Sequence, residues 1–283
     1  MRPRPFQLKG AAGAAITGDL YIPAPDVPLV IVIHGFKGFK DWGCFPWIGQ
    51  QLAAAGLAAA VINLSHNGIG ANFDTFERLD LFEADTWSKR VFDLEQVLHA
   101  ASHGLLGSGD QPHPARIGLL GHSMGGGLAV LMAARDPRVR SIVTLAGVSR
   151  PNRIPLSEVR AHLQAYGHVQ VENARTRQIM RIGREFFDEL EAHGAAFDIL
   201  AAARASTTPW LIVHGAADEA VPLDEAHELL DAANGNALEG ENVKLLVIEN
   251  AGHTFGAAHP FKAPAPELEQ ALDCAARHLL RTL

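Results

Sequence analysis

The sequence has little cysteine, no cluster of basic residues and no long apolar run. Its two cysteines, Cys44 and Cys274, lie far apart in the 283 residues. Their spacing matches neither a disulfide framework nor a metal motif, so we interpret them as buried or partly buried free thiols. A net charge of −7 without a basic cluster disfavours nucleic acid and anionic membranes as partners. The longest apolar segment, Leu52 to Leu64, is broken by Gly56 and is too short to span a bilayer.

The amino terminus also lacks the features of a targeting signal. Met1 to Pro5 carries positive charge, but no apolar stretch of signal-peptide length follows. We therefore expect a soluble, cytoplasmic protein. The chain is 48% hydrophobic, which is ample for a large core, and its length suits one large α/β domain or two ordinary ones.

A strand that runs through a glycine-framed serine into a helix is the central feature of the chain. The apolar run Ala115 to Leu120 leads to Gly121-His122-Ser123-Met124-Gly125, and Leu128 to Arg135 then has helical spacing. This pattern predicts a sharp turn that lifts the Ser123 hydroxyl clear of the sheet, because its two glycines lack the Cβ atoms that would collide there. A serine that merely caps the helix is the alternative interpretation.

Two further strands are followed by residues suited to activate this serine. The run Trp210 to Val213 precedes Asp218, within the pattern Gly-x-x-Asp-x-x-Val-Pro, and the run Val243 to Ile248 precedes His253. Each of the three side chains thus comes just beyond the carboxyl end of a predicted strand, in the order Ser, Asp, His. A histidine that accepts the serine proton and an aspartate that orients the histidine make a hydroxyl nucleophilic.

Neighbouring residues compete for the acid and base roles. Glu219 and Asp224 lie close to Asp218, but it is the pattern around Asp218 that resembles the acid loop of the α/β-hydrolases. His259 lies farther beyond its strand than His253 does, beside Pro260. We interpret the two carboxylates as exposed loop residues and prefer Asp218 and His253.

Three other histidines receive weaker interpretations. His66 follows the strand Ala58 to Asn63 and is interpreted as a local hydrogen-bonding residue that contributes at most to the pocket. His99 and His103 are four residues apart, a spacing that a zinc pair could use. No acidic or thiol ligand accompanies them, so we favour an exposed helix end.

With these motifs placed, the chain resembles the α/β-hydrolases over nearly its whole length. The resemblance implies a mostly parallel central sheet with helices on both faces, with Ser123, Asp218 and His253 as catalytic residues. The loop His34-Gly35-Phe36 resembles the oxyanion loop of this family, which implies an oxyanion hole made by the backbone N–H groups of Phe36 and Met124. A tight βα connection with Phe36 packed as core is the alternative for this loop. No metal or organic cofactor is required.

Residues 149–206 interrupt the alternation of strands and helices. They contain two helical patterns, near Ser157 to Tyr166 and Ile182 to His193, and no apolar run typical of a strand. We therefore predict a core domain of residues 1–148 and 207–283 with a small helical cap formed by residues 149–206. An ordinary connecting helix with a long loop is the alternative.

The loops and the serine motif resemble bacterial carboxylesterases of the feruloyl-esterase and dienelactone-hydrolase-like group. That resemblance implies a serine hydrolase that cleaves small-molecule esters of small or aromatic acids through an acyl-enzyme. A serine aminopeptidase or amidase remains an alternative, as does a non-catalytic binding protein on the same fold. The sequence leaves a homodimer open.

Overall fold

The computed structural model describes residues 1–72, 75–235 and 242–283, and an eight-stranded sheet lies at their centre. The ten strands are β1 (Arg4–Lys9), β2 (Ala15–Tyr21), β3 (Leu29–Ile33), β4 (Ala58–Asn63), β5 (Ile117–His122), β6 (Val139–Leu145), β7 (His168–Glu172), β8 (Ile179–Gly183), β9 (Trp210–Gly215) and β10 (Val243–Ile248). The main sheet has the order β1-β2-β4-β3-β5-β6-β9-β10. Strands β1, β2 and β4 pair antiparallel and the other neighbours pair parallel.

Helices cover both faces of this sheet. They are α1 (Phe45–Ala54), α2 (Leu79–Glu83), α3 (Trp87–Ser102), α4 (Met124–Ala133), α5 (Leu156–Tyr166), α6 (Arg184–His193), α7 (Ile199–Ala205), α8 (Leu223–Asn234) and α9 (Pro266–Thr282). One apolar layer packs between the sheet and α3, α4 and α8, and a second packs between the opposite face and α1 and α9. The predicted α/β-hydrolase architecture, a mostly parallel sheet with helices on both faces, is confirmed.

The central strands are apolar throughout because both of their faces are buried. In β3, Ile31 contributes to one apolar layer, whereas Val30 and Val32 contribute to the other. Alternate side chains of a strand point to opposite faces, so a strand with helices on both sides reads as a continuous apolar run. Apolar runs in the sequence predict strands at 29–33, 58–63, 139–145 and 243–248, and the structure has a strand at each of them.

The serine motif is displaced from its predicted boundaries by a few residues. Strand β5 extends to His122 rather than ending at Leu120, and α4 begins at Met124 rather than near Leu128. The turn between them is therefore Ser123 alone. The first turn of α4 contains three consecutive glycines, which have no side chains to form an apolar face and are poor helix formers. The sequence pattern therefore indicates a later start for this helix.

The 149–206 insertion is not purely helical, and that part of the prediction was wrong. Between α5 and α6 it contains the antiparallel hairpin of β7 and β8, and the helix predicted from Ile182 begins at Arg184. Val171 and Met180 pack on the aromatic cluster Phe39, Phe76 and Phe82. Strand β7 alternates polar and apolar residues and Arg181 interrupts β8, so neither shows a continuous apolar run. Their packing on the aromatic cluster stabilises them.

A recurring apolar face in the sequence predicts one or two amphipathic helices from Asp74 to His103. The structure forms the short α2 and the longer α3 in this segment. Its predicted start at Asp74 lies outside the described residues. Thr86 caps α3, because its side-chain oxygen accepts a hydrogen bond from the Lys89 N–H. Among the helices in the described ranges, none is long and apolar enough to cross a membrane.

Candidate active site

Ser123 stands on a strained turn between β5 and α4. Its φ of 56° and ψ of −119° lie outside the common regions for a residue with a side chain, which costs about 1–3 kcal/mol. Neighbouring backbone fixes the turn: Ser123 N–H donates to the Leu145 carbonyl at 2.9 Å, and the Ser123 carbonyl accepts from Val148 N–H at 3.2 Å. The side chain is thereby held at the carboxyl edge of the sheet.

The structure brings the three predicted residues together. Ser123 Oγ lies 3.1 Å from Nε2 of His253, and His253 Nδ1 lies 2.9 Å from Oδ2 of Asp218. Ser123 and His253 are 130 residues apart in sequence, and Asp218 and His253 are 35 apart. The parallel strands β5, β9 and β10 end at the same edge of the sheet, which is why the three loops meet.

The Asp218 carboxylate is buried and accepts several hydrogen bonds. Oδ1 accepts from the backbone N–H groups of Ala220 and Val221, both at 2.9 Å, and Oδ2 accepts from His253. Burial opposes ionisation of this group, but the hydrogen bonds from His253 and the loop outweigh it, so the pKa of Asp218 lies below its ordinary value. The group is therefore a carboxylate at neutral pH, placed to keep the His253 proton on Nδ1.

The predicted oxyanion residues lie beside the serine. Met124 is the first residue of α4, so its N–H has no partner within the helix. Gly35 approaches the serine so closely that a Cβ on it would stand 2.9 Å from the Ser123 Cβ, and Phe36 follows directly. Phe36, Met124 and Ser123 all line one cavity. Phe36 is 37% exposed, so it is not a core residue of a simple connecting loop.

The cavity that contains Ser123 is small and mostly apolar. Its volume is about 130 Å³, below the roughly 300–1,000 Å³ of sites for drug-sized ligands. Its apolar walls come from the core and from the insertion: Phe36, Phe82, Trp87, Met124, Val148, Ile154, Ile182 and Phe186. Four aromatic rings among eight apolar side chains suit a short or flat group.

A buried ion pair interrupts these apolar walls. Arg90 donates from Nε and Nη2 to Asp85 Oδ2 at 2.9 and 2.7 Å, and both side chains are nearly inaccessible. The Arg90 guanidinium also lies over the Trp87 and Phe186 rings, at 4.9 and 5.6 Å from their centroids. Both charged residues line the cavity, so its wall includes two opposite charges in contact. Asp85 and Arg90 are five residues apart, which is not a spacing typical of a helical ion pair, so the sequence did not indicate this contact.

Arg153 connects the insertion to the loop that carries Asp218. Its Nη2 donates to the Ala220 carbonyl at 2.6 Å, and its Nη1 pairs with the buried carboxylate of Glu225. Arg153 also lines the cavity beside Ser123. A movement of the insertion at Arg153 would therefore also displace the loop that carries Asp218.

The competing residues lie elsewhere or lack the needed contacts. Glu219 is exposed, and His259 Nδ1 accepts from Gly43 N–H at 2.9 Å while its ring stacks on Trp42. His66 is buried, with Nδ1 2.7 Å from Ser65 Oγ, and it is not among the residues that line the serine cavity. Asp218 and His253 are the residues that the hydrogen bonds described above connect to Ser123.

His99 and His103 lie on the last turn of α3 and just beyond it. Their ring centroids are 4.2 Å apart, and His103 Nδ1–H donates to the His99 carbonyl at 2.8 Å. Within the described ranges, no third His, Cys, Asp or Glu joins them in a group suited to hold a metal ion.

Three histidines near the site received no role from the sequence. His34 and His214 are fully buried and His122 is partly buried. Burial lowers the pKa of His34 to about 4 and of His122 to about 3, and it also lowers the pKa of His214. All three are neutral at pH 7. Their shared position at the ends of β3, β5 and β9 was visible in the sequence as the pairs His-Gly, His-Ser and His-Gly.

Comparison with known proteins places the site within a family. The sequence model of the prolyl oligopeptidase family matches residues 92–279. The monoacylglycerol lipase of Mycolicibacterium smegmatis is 28% identical over 246 residues, which cover 78% of this chain and 81% of the lipase. The uncharacterized peptidase YuxL of Bacillus subtilis is 26% identical over 267 residues, which cover 91% of this chain but only 36% of YuxL.

The fold has close counterparts among solved structures. Est1E of Butyrivibrio proteoclasticus, solved with ferulic acid bound, superposes with a TM-score of 0.69 at 17% identity, covering 98% of both chains. At that identity the likeness concerns the fold. The family match spans well over half of the chain and includes Ser123, Asp218 and His253. The chain therefore belongs to the prolyl oligopeptidase family and has the α/β-hydrolase fold.

Proposed function

We propose that the protein is a serine hydrolase that cleaves carboxylic esters of small or aromatic acids through an acyl-enzyme. The observation that carries this proposal is the continuous chain of hydrogen bonds from Ser123 Oγ through the His253 ring to Asp218. A serine hydroxyl is a weak nucleophile unless a base accepts its proton during attack. His253 Nε2 is within hydrogen-bond reach of that proton, which is the first requirement for a general base.

The first half of the reaction forms the acyl-enzyme. Ser123 Oγ attacks the ester carbonyl carbon while its proton moves to His253 Nε2, and Asp218 stabilises the resulting imidazolium. The carbonyl oxygen becomes an oxyanion, for which the backbone N–H groups of Phe36 and Met124 are the proposed donors. One such donor contributes about 3–4 kcal/mol in comparable enzymes. The tetrahedral intermediate then expels the alcohol, which takes the proton from His253.

The second half restores the enzyme. A water molecule loses a proton to His253 Nε2 and attacks the acyl carbonyl carbon, and the same N–H groups hold the second oxyanion. The bond between Ser123 Oγ and the acyl group breaks, and His253 returns the proton to Ser123. The cavity volume and its aromatic walls support a short or flat acyl group and disfavour a long alkyl chain.

Amide or peptide cleavage is the second candidate. Membership of the prolyl oligopeptidase family and the similarity to YuxL favour it. The same three side chains serve both reactions, and the difference lies in how well the leaving amine is protonated and held. The contacts that the cavity makes with the leaving group, rather than Ser123 itself, therefore determine the preference between ester and amide.

A burst assay with fluorophosphonate labelling tests both candidates. Wild type, Ser123→Ala and Ser65→Ala are compared on p-nitrophenyl esters that range from acetyl to long-chain and cinnamoyl acyl groups. Ser65 is a matched control because it also hydrogen-bonds a histidine, at 2.7 Å, but lies outside the cavity. We expect labelling and turnover to disappear in Ser123→Ala and to persist in Ser65→Ala.

Each outcome decides between the candidates. A burst on acetyl or cinnamoyl esters with little turnover of long chains supports the esterase. Labelling at Ser123 without ester turnover, but with cleavage of aminoacyl p-nitroanilides, moves the assignment to the peptidase or amidase. A wild type that takes no label would indicate a binding protein instead.

A further inference from the structure

Three histidines stand at the carboxyl ends of strands beneath the proposed catalytic residues. His34 follows β3, His122 is the last residue of β5, and His214 is the next to last residue of β9. Each ring donates a hydrogen bond to a loop carbonyl: His34 to Gly35, His122 to His253, and His214 to Val221. The proposed reaction uses none of these three rings, and of the three it is His122 that contacts the proposed base.

His122 contacts the backbone of His253 through a single donor. Its Nε2 lies 2.9 Å from the His253 carbonyl oxygen. A carbonyl oxygen carries no proton, so the proton of the neutral His122 ring lies on Nε2. Burial, together with the nearby His253, lowers the pKa of His122 to about 3. The ring therefore stays neutral, with its donor fixed on Nε2, across the neutral pH range.

The His122 ring also packs against the loop of His253, the start of α1 and the oxyanion loop. Its centroid lies 4.8 Å from that of the His253 ring, and Phe45 contacts it edge-on at 6.2 Å. On the side of the oxyanion loop, a Cβ on Gly35 would stand 3.3 Å from His122 Nδ1. These contacts restrict rotation of the ring, so the donor keeps its direction toward His253.

This contact joins the strand of the nucleophile to the loop of the base. His122 directly precedes Ser123, whereas His253 lies on an irregular loop beyond β10. Asn250 and Phe255 of that loop have left-handed backbone conformations, with φ of 61° and 54°. No regular element therefore sets the position of His253, and a displacement of about 1 Å at a reacting group can cost about 100-fold in rate.

We propose that His122 is a positioning residue that holds His253 at the proper distance from Ser123 through the Nε2–H bond to the His253 carbonyl. It links the nucleophile strand directly to the base loop and takes no part in proton transfer. This inference rests on the proposed function, because it concerns the same pair of reacting groups.

Two substitutions separate the hydrogen bond from the bulk of the ring. His122→Gln places an amide N–H close to the position of Nε2, whereas His122→Leu keeps an apolar side chain of similar reach without a donor. We expect kcat on p-nitrophenyl acetate to fall about 10- to 100-fold in His122→Leu, with KM within about threefold of wild type. We expect His122→Gln to recover most of kcat.

The rate of fluorophosphonate labelling and the melting temperature of each variant complete the experiment. Labelling of Ser123 should slow in His122→Leu in proportion to kcat and recover in His122→Gln. Equal kcat in wild type and His122→Leu would overturn the proposal, and so would equal losses in the two variants that follow their melting temperatures. A wild type that takes no label overturns the proposed function and this inference with it, whereas a labelled wild type with indifferent variants overturns this inference alone.

Discussion

Gly125 lies directly against the carbonyl oxygen of Ile33, so that a Cβ on Gly125 would stand 2.5 Å from that oxygen and 2.6 Å from the oxygen of His34. This contact packs the first turn of α4 onto the end of β3. It therefore joins the serine turn to the start of the oxyanion loop. Both carbonyl oxygens belong to the backbone, so they cannot move away as a flexible side chain could.

We expect Gly125→Ala to destabilise the protein by about 1–3 kcal/mol and to lower activity, because α4 must shift away from β3 to admit the methyl group. Urea unfolding with matched assays of kcat measures both effects. Gly194→Ala is the control, since a Cβ at Gly194 meets nothing within 4 Å and its φ of −53° suits alanine. Equal unfolding midpoints for the two variants would contradict the prediction.

The buried histidines predict a loss of stability in mild acid. Burial lowers the pKa of His34 to about 4 and of His122 to about 3, against about 6.5 in the unfolded chain. Below pH 6.5 the unfolded state binds protons that the folded state does not, so these groups reduce stability as pH falls from 6.5 toward 4. Above pH 6.5 both states are neutral and the contribution is constant.

The free energy of unfolding, measured in urea at several pH values between 8 and 4, checks this expectation. His34→Gln keeps a side chain that can hydrogen-bond but removes the titrating group, so the slope of stability against pH below 6.5 should decrease. A variant with the same slope as wild type would show that His34 does not supply the effect.

The Asp85–Arg90 pair predicts that a single substitution destabilises the protein more than the double substitution does. Arg90→Met leaves the largely buried Asp85 carboxylate without its partner, and breaking such a pair costs up to about 3–5 kcal/mol. The double variant Asp85→Leu with Arg90→Met replaces both charges by apolar groups, so we expect most of that loss to be recovered.

The exposed pair Arg78–Asp80, with both side chains more than half accessible, is the matched control. Removing one partner of such a pair changes stability by about 0–1 kcal/mol. Chemical denaturation of Arg90→Met, the double variant and Arg78→Met gives the comparison. If Arg90→Met lowers the free energy of unfolding no more than Arg78→Met does, the Asp85–Arg90 pair does not stabilise the fold.

We expect substitutions in β8 to change acyl specificity only where the side chain lines the cavity. Ile182 is buried and lines the cavity beside Ser123, whereas Ile179, on the same strand, is 50% exposed. Ile182→Ala should widen the cavity and shift relative kcat/KM toward longer acyl esters by several-fold, while the labelling of Ser123 remains within about twofold of wild type. Ile179→Ala should leave the acyl preference unchanged. If Ile182→Ala has the same acyl-chain preference as wild type, Ile182 of the insertion does not contribute to substrate selection.

Much of the fold could be predicted from local sequence. Strands buried on both faces appear as apolar runs such as 29–33, and the glycine-framed Ser123 fixes a strand-to-helix turn. The hairpin of β7 and β8 could not be found in this way. Polar residues interrupt both of its strands. Its stability depends on contacts between Met180 and the distant Phe39, Phe76 and Phe82, which no local pattern reveals.

The sequence by itself determined the order Ser123, Asp218, His253 at strand ends, because each position depends on a strand and the turn that follows it. Only the tertiary structure decided that these residues meet at 3.1 and 2.9 Å and that an ion pair between Asp85 and Arg90 lines the cavity. Only it showed that His122 contacts the backbone of His253. Such contacts join residues up to 131 positions apart, and the packing of the whole sheet, rather than any local preference, sets their distances.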